Sequence, residues 1–238
     1  RDMNRWLLHP AAKPLVFLVA GVPLAWLVGA ALANALGPNP AEALIRRSGD
    51  WALRLLCLTL AITPLREALG WSALPRLRRM LGLYAFAYAC VHFLSYAWLD
   101  MGLAIDDIAR DVAKRPFILV GMLTLLTLLP LAATSFNRAI RALGPSRWKA
   151  LHRLVYATAG LALLHFFWMR AGKNDFAEWS IHAAVIAVLL GWRGWRAWRR
   201  RPSARPVARQ HSGTGDLDHG NAGDSPRVRG EASTARRA

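Results

Sequence analysis

The sequence predicts an all-α fold: a polytopic membrane helix bundle of six transmembrane helices, with both termini cytoplasmic. Three observations carry this. Of the 238 residues, 55% are hydrophobic, and they arrive in six long runs. The runs are continuous and rich in Leu and Ala, with no period-two alternation. Lipid supplies no partners for backbone N–H and C=O groups, so such runs cross a membrane as helices rather than open strands. The third observation is that basic residues collect in alternate connections, as the positive-inside rule requires.

The runs are Leu15–Leu32, Trp51–Pro64, Met80–Leu99, Pro116–Thr134, Leu151–Met169 and Trp179–Trp195. A span needs ~20 mostly apolar residues to cross ~30 Å of hydrocarbon. Ala33-Asn34-Ala35 has the look of a signal-peptide cleavage site, but the run before it is 18 residues long. That exceeds the usual apolar core of a signal peptide, so the segment is expected to be a retained helix. The outer connections Ala33–Asp50 and Asp100–Arg115 are the long ones. Gly37-Pro38-Asn39-Pro40 marks a turn in the first, and the second has room for a short surface helix around Asp106-Asp107. Residues 1–198 are read as the membrane domain. Residues 199–238, basic and rich in Ser, Gly and Pro, are expected to be a disordered cytoplasmic tail, and its His211 and His219 receive no role.

The net charge of +17 does not point to nucleic acid, because of where the charge sits. Arg1, Arg5 and Lys13, then Arg66, Arg76, Arg78 and Arg79, then Arg138, Arg141, Arg147, Lys149 and Arg153, and finally Arg193 and Arg196 fall on one side. The other side balances eight basic residues with eight acids, among them Asp100, Asp106, Asp107 and Asp111. The asymmetry orients the chain and suits contact with anionic membrane lipid. Most of the tryptophans lie near expected helix ends, as interfacial anchors do. Cys57 and Cys90 have no metal-site spacing and read as small apolar fillers.

Histidines carry the chemistry. Four fall within the expected helices: His92, His152, His165 and His182. An ionisable residue inside a span is a functional candidate, and histidine is a leading ligand of haem iron. His92 lies about 20 Å along the third helix from Arg79, and His165 about 27 Å along the fifth from Arg147. Both are expected in the outer half of the bilayer, where two imidazoles can hold one b-type haem between them. The competing reading is a pair of buried, hydrogen-bonded histidines without metal. His152 is 13 residues before His165 and, on a straight helix, points about 140° away from it, so the two cannot share an iron. His152 is either a ligand or quinone contact near the cytoplasm or a helix-end histidine facing head groups. At its depth on the third helix stands Arg78, which stays protonated and does not ligate iron. Arg78 suits a haem propionate or a quinone oxygen instead. His182 reads as a structural histidine.

The motifs then become recognisable. They are Asn39-Pro40-Ala41-Glu42, Ser48-Gly49-Asp50-Trp51, Thr63-Pro64-Leu65-Arg66, Arg78-Arg79-Met80-Leu81-Gly82-Leu83-Tyr84, His92-Phe93 with Tyr96, Lys114-Arg115-Pro116-Phe117, Leu143-Gly144 with Trp148, Leu151-His152-Arg153-Leu154-Val155-Tyr156 and His165-Phe166. Over about residues 9–198 the chain resembles the ferric-reductase-like transmembrane family. More narrowly it resembles the haem-binding membrane subunits of bacterial periplasmic methionine-sulfoxide reductase systems. The resemblance implies a multi-pass protein of the bacterial inner membrane. It would take electrons from quinol and pass them to a molybdenum-containing periplasmic reductase that repairs methionine sulfoxide in oxidised envelope proteins. It also implies FMN, for which the sequence has no G-x-G-x-x-G signature. Relatives with four histidines hold two haems; here Arg78 stands where the fourth ligand falls. The alternatives are a ferric- or oxygen-reducing cytochrome b fed by a separate flavoprotein, and a small transporter, which should show repeated halves and broken helices.

Overall fold

The structure is a computed structural model that describes residues 2–172 and 174–200. The described residues form helices α1 (Asp2–Leu8), α2 (Ala12–Leu32), α3 (Pro40–Leu69), α4 (Pro75–Ser95), α5 (Ile105–Lys114), α6 (Pro116–Ala133), α7 (Asn137–His152), α8 (Leu154–Ala171) and α9 (Ala177–Arg199), with no strand among them. The expected cytoplasmic tail lies outside the described residues beyond Arg200.

Four helical segments are long and apolar enough to cross a membrane: Ala12–Leu32, Pro75–Asp100, Pro116–Ala133 and Asn137–Ala171. The runs expected at Trp51–Pro64 and Trp179–Trp195 also lie within long helices, α3 and α9. Asp50, Arg54, Arg66 and Glu67 interrupt α3, and Arg193 and Arg196 interrupt α9, so composition alone does not mark either as a span. The bundle turns apolar surface outward: Leu18, Val22 and Val188 are each at least 60% exposed. Side chains of this kind at this exposure suit lipid, not water.

Local chemistry explains the helix limits. α3, α4 and α6 each begin with proline, whose missing N–H costs nothing in the first turn. α3 starts eleven residues before its expected apolar run, because Asn39 caps it by accepting a hydrogen bond from the Glu42 amide at 3.1 Å. It ends at Gly70, which takes the left-handed conformation at φ 68°. The expected outer connection Ala33–Asp50 is therefore largely helical. α4 widens into a π-turn over Tyr96–Asp100. The surface helix expected around Asp106-Asp107 is α5.

The expected fifth run is not one straight helix. α7 ends at His152 and α8 begins at Leu154, and the junction tightens to i→i+3 bonds from Arg153 N–H to Ala150 and from Tyr156 N–H to Arg153. His152 thus closes α7, and α8 carries His165. Arg153 itself keeps helical backbone angles, φ −68° and ψ −19°, so the junction is a tightened turn within one helical segment; the non-helical break lies earlier, at Gly144, with φ 74° and ψ 160°.

α3 packs along α4, and α6 along α8, so the centre is two helix pairs. Thr127 and Thr158 join α6 to α8 by a hydroxyl–hydroxyl bond of 2.8 Å. Two tyrosines of α4 hold α2. Tyr84 donates to the Phe17 carbonyl at 2.8 Å. The Tyr88 hydroxyl accepts from the Leu24 amide at 2.8 Å and donates to the Ala20 carbonyl at 2.9 Å. Residues 20 and 24 are the two ends of one helical i→i−4 bond, so the hydroxyl is inserted into the ladder beside Pro23, where a helix opens. Tyr88 is fully buried. Tyr88→Phe removes this bridge and leaves a buried amide and carbonyl exposed to nothing polar, so it should cost about 1–3 kcal/mol. Thermal unfolding in detergent checks it; an unchanged midpoint would show that the helix recloses without the hydroxyl.

Candidate functional site: paired imidazoles between two helix pairs

The two helix pairs each present one histidine to the space between them. His92 on α4 donates its Nδ1–H to the Ile45 carbonyl of α3 at 2.7 Å. His165 on α8 donates its Nδ1–H to the Phe117 carbonyl of α6 at 2.6 Å. The separations along the chain are 47 and 48 residues, so the same arrangement occurs twice. In each pair a glycine stands one turn beyond the accepting carbonyl. A Cβ at Gly49 would lie 2.9 Å from His92 Nδ1, and one at Gly121 would lie 2.8 Å from His165 Cε1. Only a residue without a side chain lets either ring lie this close to its neighbouring helix.

The ring centroids of His92 and His165 are 6.0 Å apart, with the rings 80° to each other. The carbonyl bonds use both Nδ1 atoms, leaving Nε2 as the free nitrogen of each. A metal bound by two Nε2 atoms at about 2 Å holds the ring centroids roughly 6 Å apart. A histidine ligand tied through its other nitrogen to a carbonyl is also the usual second-shell device that fixes tautomer and orientation.

A cavity of about 700 Å³ surrounds the pair. This is within the ~300–1,000 Å³ of ordinary cofactor pockets. Its walls include Leu53, Ala85, Phe93, Phe117, Leu125 and Phe166. Arg46, Arg47, Arg115 and Arg170 also line it. Three of these are anchored by carboxylates: Arg46 by Glu42 at 2.9 Å, Arg115 by Asp111 at 2.8 Å, and Arg170 by Glu178 and by Asp175 at 3.0 Å. Tyr96, on the π-turn, donates to Asp111 at 2.7 Å and so completes a Tyr96–Asp111–Arg115 chain. No group of three or more His, Cys, Asp or Glu side chains able to hold a bare metal ion occurs among the described residues. Two imidazoles, an apolar slot and guanidinium donors therefore fit a planar metal macrocycle that brings its own equatorial ligands and carries carboxylates. Haem is such a group.

His92 and His165 are thus brought together as the sequence predicts. His152 and Arg78 are not among the lining residues of this cavity. His152 donates its Nδ1–H to the Trp148 carbonyl at 3.0 Å and stacks on the Trp148 ring at 3.9 Å. Trp148 in turn donates to the Thr134 carbonyl at 3.0 Å, so it is a structural contact and not only an interfacial anchor. Arg78 donates to Thr63 Oγ1 at 2.6 Å. His182 donates its Nδ1–H to the Glu178 carbonyl in its own helix at 2.8 Å, in keeping with a structural role. Sequence reading missed Ile45, Gly49, Phe117 and Gly121 as site residues. The one sequence signal for them is a glycine inside each neighbouring helix, Gly49 and Gly121; the accepting carbonyls of Ile45 and Phe117 carry none, since every residue has one.

Residues 48–163 match the family described as ferric reductase like transmembrane component. A protein of Polaromonas naphthalenivorans named protein-methionine-sulfoxide reductase heme-binding subunit MsrQ is 62% identical over 190 residues, covering 80% of this chain and 87% of the relative. The chain belongs to the MsrQ family. Other MsrQ proteins agree: that of Herminiimonas arsenicoxydans is 46% identical over 87% of this chain and 94% of its own, and that of Ralstonia nicotianae 51% over 77% and 84%. The MsrQ relatives are named for binding haem. No solved structure matches the chain.

Proposed function

We propose that this protein is a transmembrane electron carrier that holds a b-type haem between His92 and His165. In this reading it takes electrons from the quinol pool and passes them to a periplasmic molybdenum-containing methionine-sulfoxide reductase. The observation that carries the reading is the pair of imidazoles with centroids 6.0 Å apart, each tied through Nδ1 to a carbonyl of the neighbouring helix. Haem supplies one-electron iron(III)/iron(II) chemistry when bound. The chain's own residues orient the ligands, exclude water with an apolar wall and offer guanidinium donors to carboxylates. FMN, which the family resemblance also implies, takes no part in this reading.

The same proposal includes six spans, with α3 and α9 completing the four that composition marks, and both termini on the cytoplasmic side of the bacterial inner membrane. The basic connections on one side and the acid-balanced connections on the other support that orientation. In this reading methionine-sulfoxide chemistry belongs to the partner, because nothing in the sequence resembles a molybdenum site.

The test is a reduced-minus-oxidised visible spectrum of the purified protein, with haem and protein both quantified. Reducible b-type bands at no less than one haem per chain, developed by a quinol analogue as well as by dithionite, are expected. A protein without reducible bands is a transporter or scaffold, and the electron-carrier reading fails. The ferric-reductase family match favours one second reading, a ferric- or oxygen-reducing cytochrome fed by a separate flavoprotein. It is preferred if the haem is reduced by a flavoprotein but not by quinol.

A further inference from the structure

At the end of the bundle away from the paired imidazoles, two guanidinium groups converge on one stretch of α3. Arg193 lies about 24 Å along α9 from Ala177 at 1.5 Å per residue. It does not project away from the bundle as a helix-end cation does. Its Nη2 donates to the Leu60 carbonyl of α3 at 2.6 Å, and its guanidinium lies 5.6 Å from the centre of the Tyr156 ring. Its Nη1 is enclosed and has no hydrogen-bond partner among the described residues. Three residues further along α3, Thr63 Oγ1 accepts from Arg78 Nη2 at 2.6 Å.

Among the described residues, no carboxylate pairs with either guanidinium. Among the described residues, the charged or titratable groups that act on Arg78 are Arg193, Tyr156 and Arg66, and the one that acts on Arg193 is Tyr156. Glu67, one turn on from Thr63, is engaged by Arg196 and Arg200. Two cations near each other in a low-dielectric setting repel and carry an uncompensated desolvation cost. Each guanidinium has five N–H donors in a fork that matches an oxyanion, and one protein acceptor each leaves most of them free. A bound anion resolves both problems.

Depth and access select the anion. Arg78 lies 14 residues before His92, about 21 Å along α4. In a hydrocarbon layer of ~30 Å, with the imidazoles in its far half, this is the level of the near head groups. Arg78 is exposed, and Tyr156 is 42% exposed on the bundle's outer surface, so the pair is reached sideways from the membrane. We propose that Arg78 and Arg193 form a two-arginine site for the phosphate of an anionic phospholipid head group, open to the membrane beside Tyr156. The inference goes beyond the haem reading and does not depend on it.

The test uses the full-length protein purified in detergent and titrated with phosphatidylglycerol or phosphatidylcholine, with bound lipid counted by native mass spectrometry. The wild type should retain phosphatidylglycerol at least fivefold over phosphatidylcholine. Arg193→Gln and Arg78→Gln should each lose that preference, while Arg138→Gln, which removes one charge on the same membrane side, should keep it. Inorganic phosphate should not displace the lipid. Wild-type preference in both arginine variants overturns the site, as does an equal loss in Arg138→Gln, which would mean surface charge alone. Displacement by inorganic phosphate reassigns the pair to a soluble phosphate compound and overturns the lipid. Circular dichroism and size exclusion monitor folding; if Arg193→Gln fails to fold, Arg78→Gln, on the surface, decides the result.

Discussion

His92→Ala and His165→Ala should each eliminate the haem that we propose between α4 and α8. Among the described residues, these two are the only histidines lining the cavity, and each is pre-aimed by a carbonyl bond of 2.7 or 2.6 Å. Loss of a second-shell partner alone typically costs 10–100-fold in metal affinity, so loss of a ligand should leave on the order of a tenth of the haem or less. Reduced-minus-oxidised spectra of membranes expressing each variant, normalised to protein, measure this. His182→Ala serves as the control, since its contacts are to its own helix and the edge of Phe166. Wild-type haem in either ligand variant ends the bis-histidine assignment. His152→Ala asks a separate question: it should leave this haem in place, and any loss it causes reports a second site near Trp148.

The second large effect comes from adding one methyl group. Gly49→Ala places a Cβ 2.9 Å from His92 Nδ1, and Gly121→Ala places one 2.8 Å from His165 Cε1. The ring must swing away, and its bond to Ile45 or Phe117 goes with it. Haem affinity should fall about 10–100-fold, the usual effect of losing a second-shell partner. Helix propensity alone predicts the opposite sign, since alanine is favoured over glycine by about 1 kcal/mol in a helix interior. Gly160→Ala separates the two effects, because a Cβ there meets nothing within 4 Å. It should keep full haem and gain stability. Haem titration of the apoprotein of all three variants gives the comparison; equal affinities in all three would mean the rings relax without cost.

Much of the fold was legible from hydropathy alone. Pro116–Thr134 was expected as a span and α6 runs Pro116–Ala133, because a continuous apolar run between a proline and small polar residues leaves little freedom. α3 was misjudged at its start. Its first turns carry Glu42, Arg46, Arg47 and Asp50, which read as a loop in a search for apolar length, yet the Asn39 cap and Pro40 begin the helix there. The cost of that error was functional, since Ile45 and Gly49 lie in those turns. The Arg153 junction was missed for a different reason: Leu151-His152-Arg153-Leu154 has no proline or glycine to announce it. Arg193 was counted as an orienting charge, and only the packing of α9 against α3 shows it turned inward to Leu60.

An all-helical membrane chain was readable from sequence, as was the candidacy of His92 and His165, because burial in lipid constrains composition over ~20 residues and an imidazole there is rare enough to stand out. The sequence also settled the family, through motifs spread over most of the chain. Only the tertiary structure decided that these two rings meet, that each leans on a carbonyl and a glycine of another helix, and that His152 and Arg78 line a different part of the bundle. Those facts depend on how α3 lies against α4 and α6 against α8. Such cross-helix distances are set by packing between segments about 47 residues apart, which local pattern does not encode.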